Sequence, residues 1–154
     1  MTVGVTGGLH HLGVRVADLE RAVAFYRELG AEPLAREFTL DPGAAALAMN
    51  TEREVRVALL GFPDGSGIEL FEFADPAPQW CAAPEPAARL PHLGIRVDDV
   101  DAALARAEAA GGQRLWNRPK QWGPVRVVYL RDPDGTVLEL LDAPLRAVAD
   151  VVAP

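Results

Sequence analysis

Two histidines and two glutamates take matching places in the two halves of this 154-residue chain, and such a set of donors can hold a metal ion. Residues 9–25 (LHHLGVRVADLERAVAF) align without a gap to residues 90–106 (LPHLGIRVDDVDAALAR). Nine of the seventeen positions are identical, among them His11 with His92, Gly13 with Gly94, Arg15 with Arg96 and Asp18 with Asp99. Further on, Pro63-Asp64-Gly65-Ser66-Gly67-Ile68-Glu69-Leu70 matches Pro133-Asp134-Gly135-Thr136-Val137-Leu138-Glu139-Leu140. Each half therefore carries one His near its start and one Glu near its end. Two imidazole nitrogens and two carboxylate oxygens leave two positions of an octahedral shell open. That mix suits Ni, Co, Mn, Fe or Zn and does not choose among them. Two adjacent open positions take a small-molecule substrate with vicinal oxygens, such as a 2-hydroxyketone or a 2-ketoacid derivative. A Lewis acid there lowers the pKa of the C–H beside the bound carbonyl and stabilises the enolate. Glu69 or Glu139, on opposite sides of the metal, then moves the proton. The competing explanation is that the glutamates are salt-bridge partners of Arg15 or Arg96.

The elements that must position these residues are legible in the hydrophobic pattern. Along 9–16, Leu12, Val14 and Val16 alternate with His11, Gly13 and Arg15, which is the period of a strand. The apolar set is expected under a helix, which turns His11 and Arg15 to the other face; His92 and Arg96 follow suit, and His10 falls on the opposite side. Asp18 is an N-cap, Leu19, Ala22, Val23 and Tyr26 recur at helical spacing, and Gly30 is suited to C′. Strands are expected around 31–38, 54–62 and 66–74, with a short extra helix at 41–49. After the proline-rich stretch 75–90 the order repeats: strand 91–98, helix 99–110 ending at Gly111-Gly112, and strands near 113–118, 123–131 and 135–142. His11 to Glu69 is 58 residues and His92 to Glu139 is 47, so 11 extra residues enter the first half, most naturally in 36–52.

The expected organisation is a first βαβββ module (1–74), a linker (75–90), a second module (91–142) and a peripheral tail (143–154). Two such modules join into one curved, cup-shaped mixed sheet of the α+β class, with helices outside and a concave inner face. In the strands ending each module, Ile68, Leu70, Leu138 and Leu140 take the helix side, which turns Glu69 inward beside Phe71 and Phe73, and Glu139 inward between Val137 and Leu141. A carboxylate among apolar neighbours is costly unless a cation or strong hydrogen bonds compensate it. Arg15, Arg96 and Arg126 are candidates to meet an anionic substrate group. Phe71, Phe73, Trp116 and Trp122 are candidates for an apolar wall, with core packing as the alternative.

Bulk properties narrow the class. The net charge of −7 argues against nucleic acid, where cationic contacts to phosphate dominate. No signal-like or bilayer-spanning apolar run is present, so no membrane partner and a cytoplasmic location are expected. Cys81 is the single cysteine, which excludes an internal disulfide and a multi-thiolate zinc site.

These residues resemble the vicinal oxygen chelate superfamily over about residues 8–142. His11-Leu12-Gly13-Val14-Arg15-Val16-Ala17-Asp18 through Phe25-Tyr26 is similar to its first strand and helix, and Asp132-Pro133-Asp134-Gly135-Thr136-Val137-Leu138-Glu139-Leu140 to its last hairpin. The resemblance implies paired βαβββ modules and a metal in a U-shaped cavity. In the glyoxalase I type it implies one metal ion held by His11, Glu69, His92 and Glu139. Antibiotic-sequestering relatives typically lack these ligands, whereas fosfomycin-modifying members and extradiol dioxygenases use two His and one Glu. The full set is nearest the glyoxalase I and methylmalonyl-CoA epimerase type, and so implies an isomerase, epimerase or lyase. A small-molecule-sequestering protein and an Fe(II) dioxygenase on the same fold are the alternatives. Arg15 is similar to an arginine that contacts glutathione in glyoxalase I, while Phe73 stands where an asparagine is expected. A homodimer is expected, and family members assemble the ligands either within one chain or across two.

Overall fold

The computed structural model describes residues 9–49, 51, 53–74 and 91–152. The proline-rich stretch 75–90, with Cys81, lies outside them. The chain divides into two compact units, Met1–Ala77 and Pro78–Pro154.

The first unit runs β1 (His11–Val16), α1 (Leu19–Glu28), β2 (Glu32–Pro33), β3 (Phe38–Leu40), α2 (Pro42–Met49), β4 (Val55–Gly61) and β5 (Gly67–Phe73). The second runs β6 (Leu93–Arg96), α3 (Val100–Ala109), β7 (Gln113–Arg114), β8 (Lys120–Trp122), β9 (Val125–Arg131), β10 (Val137–Leu141) and α4 (Leu145–Val152). Each unit builds its own five-stranded mixed sheet, in the orders β1-β5-β4-β2 and β6-β10-β9-β7, with β3 also on β4 and β8 also on β9. The α+β class and the repeated module hold. The backbone ladder itself divides in two, and the strand after each first helix is broken into two short pieces that pair with one partner strand. Neither piece is long enough to show alternation in sequence, so the expected strands at 31–38 and 113–118 shrink to two residues each.

The helices start and stop where their chemistry directs. Asp18 accepts from the Arg21 amide at 2.9 Å and Asp99 from the Ala102 amide at 2.9 Å, each satisfying a donor that the first turn leaves unpaired. Gly30 and Gly111, with φ of 92° and 96°, end them in the left-handed conformation glycine adopts without a Cβ penalty. Leu19, Ala22, Phe25 and Tyr26 are buried along α1, which packs on β4 and β5. Burying Phe25 alone is worth about 1.5–3 kcal/mol. Val14, Val16, Ile68 and Leu70 are buried as the alternation requires.

The second face of each sheet is half covered. In the first unit Ala45 of α2 packs with Val55 and Val57 against Phe71 and Phe73. In the second, Ala147, Val148 and Val151 of α4 pack against Val125, Val127 and Leu141. The segment after 143 is therefore a docked helix rather than a peripheral tail. Its apolar positions fall at one-helix-face spacing, but their partners lie on β9 and β10, which an eight-residue stretch cannot announce. Both helices cover the far end of the face from Glu69 and Glu139.

Candidate functional site

The same backbone arrangement brings a histidine to a glutamate in each unit. β1 pairs in parallel with β5, setting Gly13 beside Glu69, and β6 pairs in parallel with β10, setting Gly94 beside Glu139. Each glutamate thus sits beside a glycine two residues after the histidine. His11 Nε2 lies 3.2 Å from Glu69 Oε2, and His92 Nε2 lies 3.4 Å from Glu139 Oε2. The glutamate side chains are mostly buried, 23% and 14% exposed, while the imidazoles keep an open side.

Among the described residues no three His, Cys, Asp or Glu side chains gather into one cluster; the donors lie as two pairs, one per unit. The geometry of each pair fits a metal. Two N or O ligands about 2.0–2.2 Å from one ion, at octahedral or tetrahedral angles, lie roughly 3.0–3.4 Å apart. The same separations are those of ordinary His–Glu ion pairs, which when partly exposed contribute only about 0–1 kcal/mol.

Each pair has a further support. His10 Nδ1 and His11 Nδ1 are 2.7 Å apart, so one of them carries the shared proton. Held on His11, that proton leaves Nε2 with its lone pair toward Glu69, the tautomer a metal ligand needs. His10, placed on the other side of its strand by simple alternation, therefore touches the site, because it precedes β1 and escapes the pleat. In the second unit the Tyr129 hydroxyl donates to Glu139 Oε1 at 2.6 Å. Burial, and then the carboxylate beside it, push the Tyr129 phenol well above its ordinary pKa, so it stays a donor. Tyr129 escapes a search for repeated residues because its counterpart is Leu59. A signal existed nonetheless: a hairpin centred on Asp134 pairs 129 with 139.

The remaining candidates separate. Phe71 and Phe73 line the Glu69 face, and the Arg15 guanidinium lies 4.1 Å over the Phe73 ring. Trp122, Trp116 and Tyr129 form a continuous aromatic run, with centroid separations of 5.9 and 4.9 Å. It ends edge-on at His92, 5.4 Å away. Beside it lies a recess of about 930 Å³ lined by Trp116, Arg118, Lys120 and Trp122, with Arg126 at its edge. Arg96 is exposed.

Arg126 turns toward the helix. Its Nε donates to Asp101 Oδ2 at 2.6 Å and its Nη2 to Asp101 Oδ1 at 2.9 Å, and its amide donates to Asp142 at 2.8 Å. Arg56 does the same in the first unit with Glu20, at 2.5 Å, and also reaches Glu37 and Glu72. Arg126 is thus spent on a clamp between strand and helix start, leaving little for an anionic substrate. Alternation foretells this, since 126 and 129 fall on opposite faces of β9.

A repeated module that sets one His–Glu pair on each of two sheets defines a protein of the paired-βαβββ class. Residues 8–140 match the Glyoxalase/Bleomycin resistance protein/Dioxygenase superfamily, and the chain belongs to that family. It is 34% identical to a 2-epi-5-epi-valiolone epimerase from an Actinomyces species, over 94% of this chain and 85% of that protein. It is 30% identical to a probable lactoylglutathione lyase from Vibrio cholerae, over 85% of this chain and 87% of that one. In fold it is similar to a glyoxalase family protein from Bacillus cereus, with a TM-score of 0.78 and 22% identity over 92% of this chain and 97% of the other.

Proposed function

We propose that this protein is a divalent-metal-dependent enzyme that moves a proton next to a carbonyl of a small substrate with vicinal oxygens, as an epimerase, isomerase or glyoxalase-like lyase. The observation that carries this reading is the duplicated His–Glu pair, with facing atoms 3.2 and 3.4 Å apart on equivalent strands. The relatives named epimerase and lyase support the reaction class. Proton transfer beside a carbonyl is the step such reactions share.

In this reading His11, Glu69, His92 and Glu139 hold the metal, from one chain or from two copies in a dimer. When bound, the metal supplies a Lewis acid that polarises the substrate carbonyl and acidifies the neighbouring C–H. Held on His11 Nδ1, the proton shared with His10 leaves Nε2 free to ligate. The glutamates are the bases, since each lies on the same face as its histidine and is mostly buried. The aromatic run Trp116–Trp122 and its recess receive the body of the substrate, and Arg15 and Arg96 face its polar end.

Metal content tests the proposal. Protein purified without chelator or affinity-tag metal is expected to carry about one Ni, Co, Mn, Fe or Zn per chain, and His92→Ala is expected to lose it. A protein that is metal-free as purified, and that takes up none of these ions on addition, refutes it. The pairs would then be plain ion pairs, and sequestration of a small molecule would be the better account.

A further inference from the structure

The described residues that line the recess beside the aromatic run all belong to the second unit. In a chain of net charge −7 they include Arg118, Lys120 and Arg126 and no carboxylate. Arg126 is neutralised by Asp101, and Arg114 and Arg146 pair with Glu108 and Asp150. Among the described residues no ion pair takes up Arg118 or Lys120, and both are exposed. The wall around them is fixed from behind. β8 pairs with β9 so that Lys120 stands opposite Val127 and Trp122 opposite Val125, which sets both side chains on the face that bears Tyr129. Trp116 and Trp122 pack on the buried cluster of Val125, Val127 and Leu141 yet stay only partly buried. Their rings meet at 63°, a corner rather than a parallel slot. Lys120 Nζ lies 4.2 Å over the Trp116 ring. Arg114 Nη1 donates to the Asn117 carbonyl at 3.3 Å and so steadies the segment that carries Arg118. The repeat does not impose this chemistry, because the equivalent positions of β3, opposite Val57 and Val55, are Phe38 and Leu40.

We infer that the recess selects an anionic, polyhydroxylated substrate, a sugar-like ring bearing a phosphate ester or a carboxylate, with Arg118 and Lys120 on the anionic group. The inference deepens the metal-dependent reading above and rests on it for taking the recess as the seat of the substrate's body. A guanidinium and an ammonium without carboxylate partners recognise phosphate or carboxylate oxygens through charge-assisted hydrogen bonds. A cationic ligand would find no counter-charge in the described lining. Two indoles at a corner give two short apolar walls. These fit the C–H faces of a puckered saturated ring, whereas the flat faces of an aromatic ligand are matched by a parallel slot. Asn117, also in the lining, carries an amide that both donates to and accepts from hydroxyl groups.

The test is calorimetric titration of chelator-treated protein with glucose 6-phosphate, glucuronate, glucose and inorganic phosphate, beside Ni²⁺ uptake and thermal unfolding of the same preparations. Glucose 6-phosphate or glucuronate is expected to bind with a Kd of about 1 mM or below. Its affinity is expected to exceed that of glucose and of inorganic phosphate by about tenfold or more. The tighter of the two identifies the anionic group as a phosphate ester or a carboxylate. Arg118→Gln combined with Lys120→Gln is expected to lose about tenfold or more of that affinity with Tm unchanged, and Lys120→Arg is expected to keep it. No binding of either sugar anion to the wild type, equal binding of glucose or of phosphate alone, or wild-type affinity in the double variant overturns the inference. A loss that merely follows a lowered Tm also overturns it, since the two cations would then serve the fold. The two readings fail separately: Ni²⁺ uptake without sugar-anion binding leaves the metal reading standing and sinks this one, and sugar-anion binding without Ni²⁺ uptake does the reverse.

Discussion

At the scale of single residues, the glycines beside the two glutamates are not interchangeable. A Cβ on Gly13 would lie 3.0 Å from Phe71 Cε2, whereas one on Gly94 would meet nothing nearer than Glu139 Oε2 at 3.8 Å. Gly13→Ala must therefore push the Phe71 ring on the face that carries Glu69. It is expected to cost about 1 kcal/mol, the low end for overpacking, and Gly94→Ala is expected to be close to neutral. Chemical denaturation of the two variants checks the difference. Tyr129 shows the same asymmetry: the repeat reproduces the His–Glu pairs while the group beside each glutamate diverges, Tyr129 in one unit and Leu59 in the other.

Elements locate what the residues cannot. The clamp of Arg126 on Asp101 and of Arg56 on Glu20 ties each β-sheet to the first turn of its helix. In the first unit Glu72 also accepts from the Leu19 amide at 2.7 Å, where the positive end of the helix dipole favours a carboxylate. Hydrogen bonding from Arg126 holds the Asp101 carboxyl below its ordinary range. A carboxyl with a lower pKa in the folded than in the unfolded state contributes stability above its unfolded pKa. That contribution is lost as pH falls through the folded value. Asp101→Asn is accordingly expected to flatten the acid limb of a Tm-against-pH profile and to leave metal uptake unchanged. The helix α4 is expected to matter more. Val148→Asp places a charge against Val125, Val127 and Leu141 and is expected to destabilise by about 1–3 kcal/mol, read as a lowered denaturation midpoint.

For the molecule as a whole, the prediction concerns stoichiometry. Each unit carries one His–Glu pair; on the proposed metal-dependent reading His11→Ala and His92→Ala are each expected to abolish tight metal binding, with about one ion per chain in the wild type. Two independent weak sites would instead leave half the binding in each variant. No helix among the described residues is long and apolar enough to cross a membrane, and the chain carries a net charge of −7.

Much of this was legible in the sequence because strands have a period of two and the chain repeats. Alternation around Val14, Val16, Ile68 and Leu70 determines which side of each sheet His11, Glu69, His92 and Glu139 occupy, and the repeat makes the two halves agree. Caps at Asp18 and Asp99 follow from local chemistry alone. Only the tertiary structure decided the contacts that depend on which strand lies beside which: Tyr129 on Glu139, Arg126 on Asp101, and α4 on β9 and β10. It also decided that His10 leaves the pleat to reach His11. Sequence periodicity specifies the face on which a side chain stands; the neighbour it meets depends on register between segments distant along the chain.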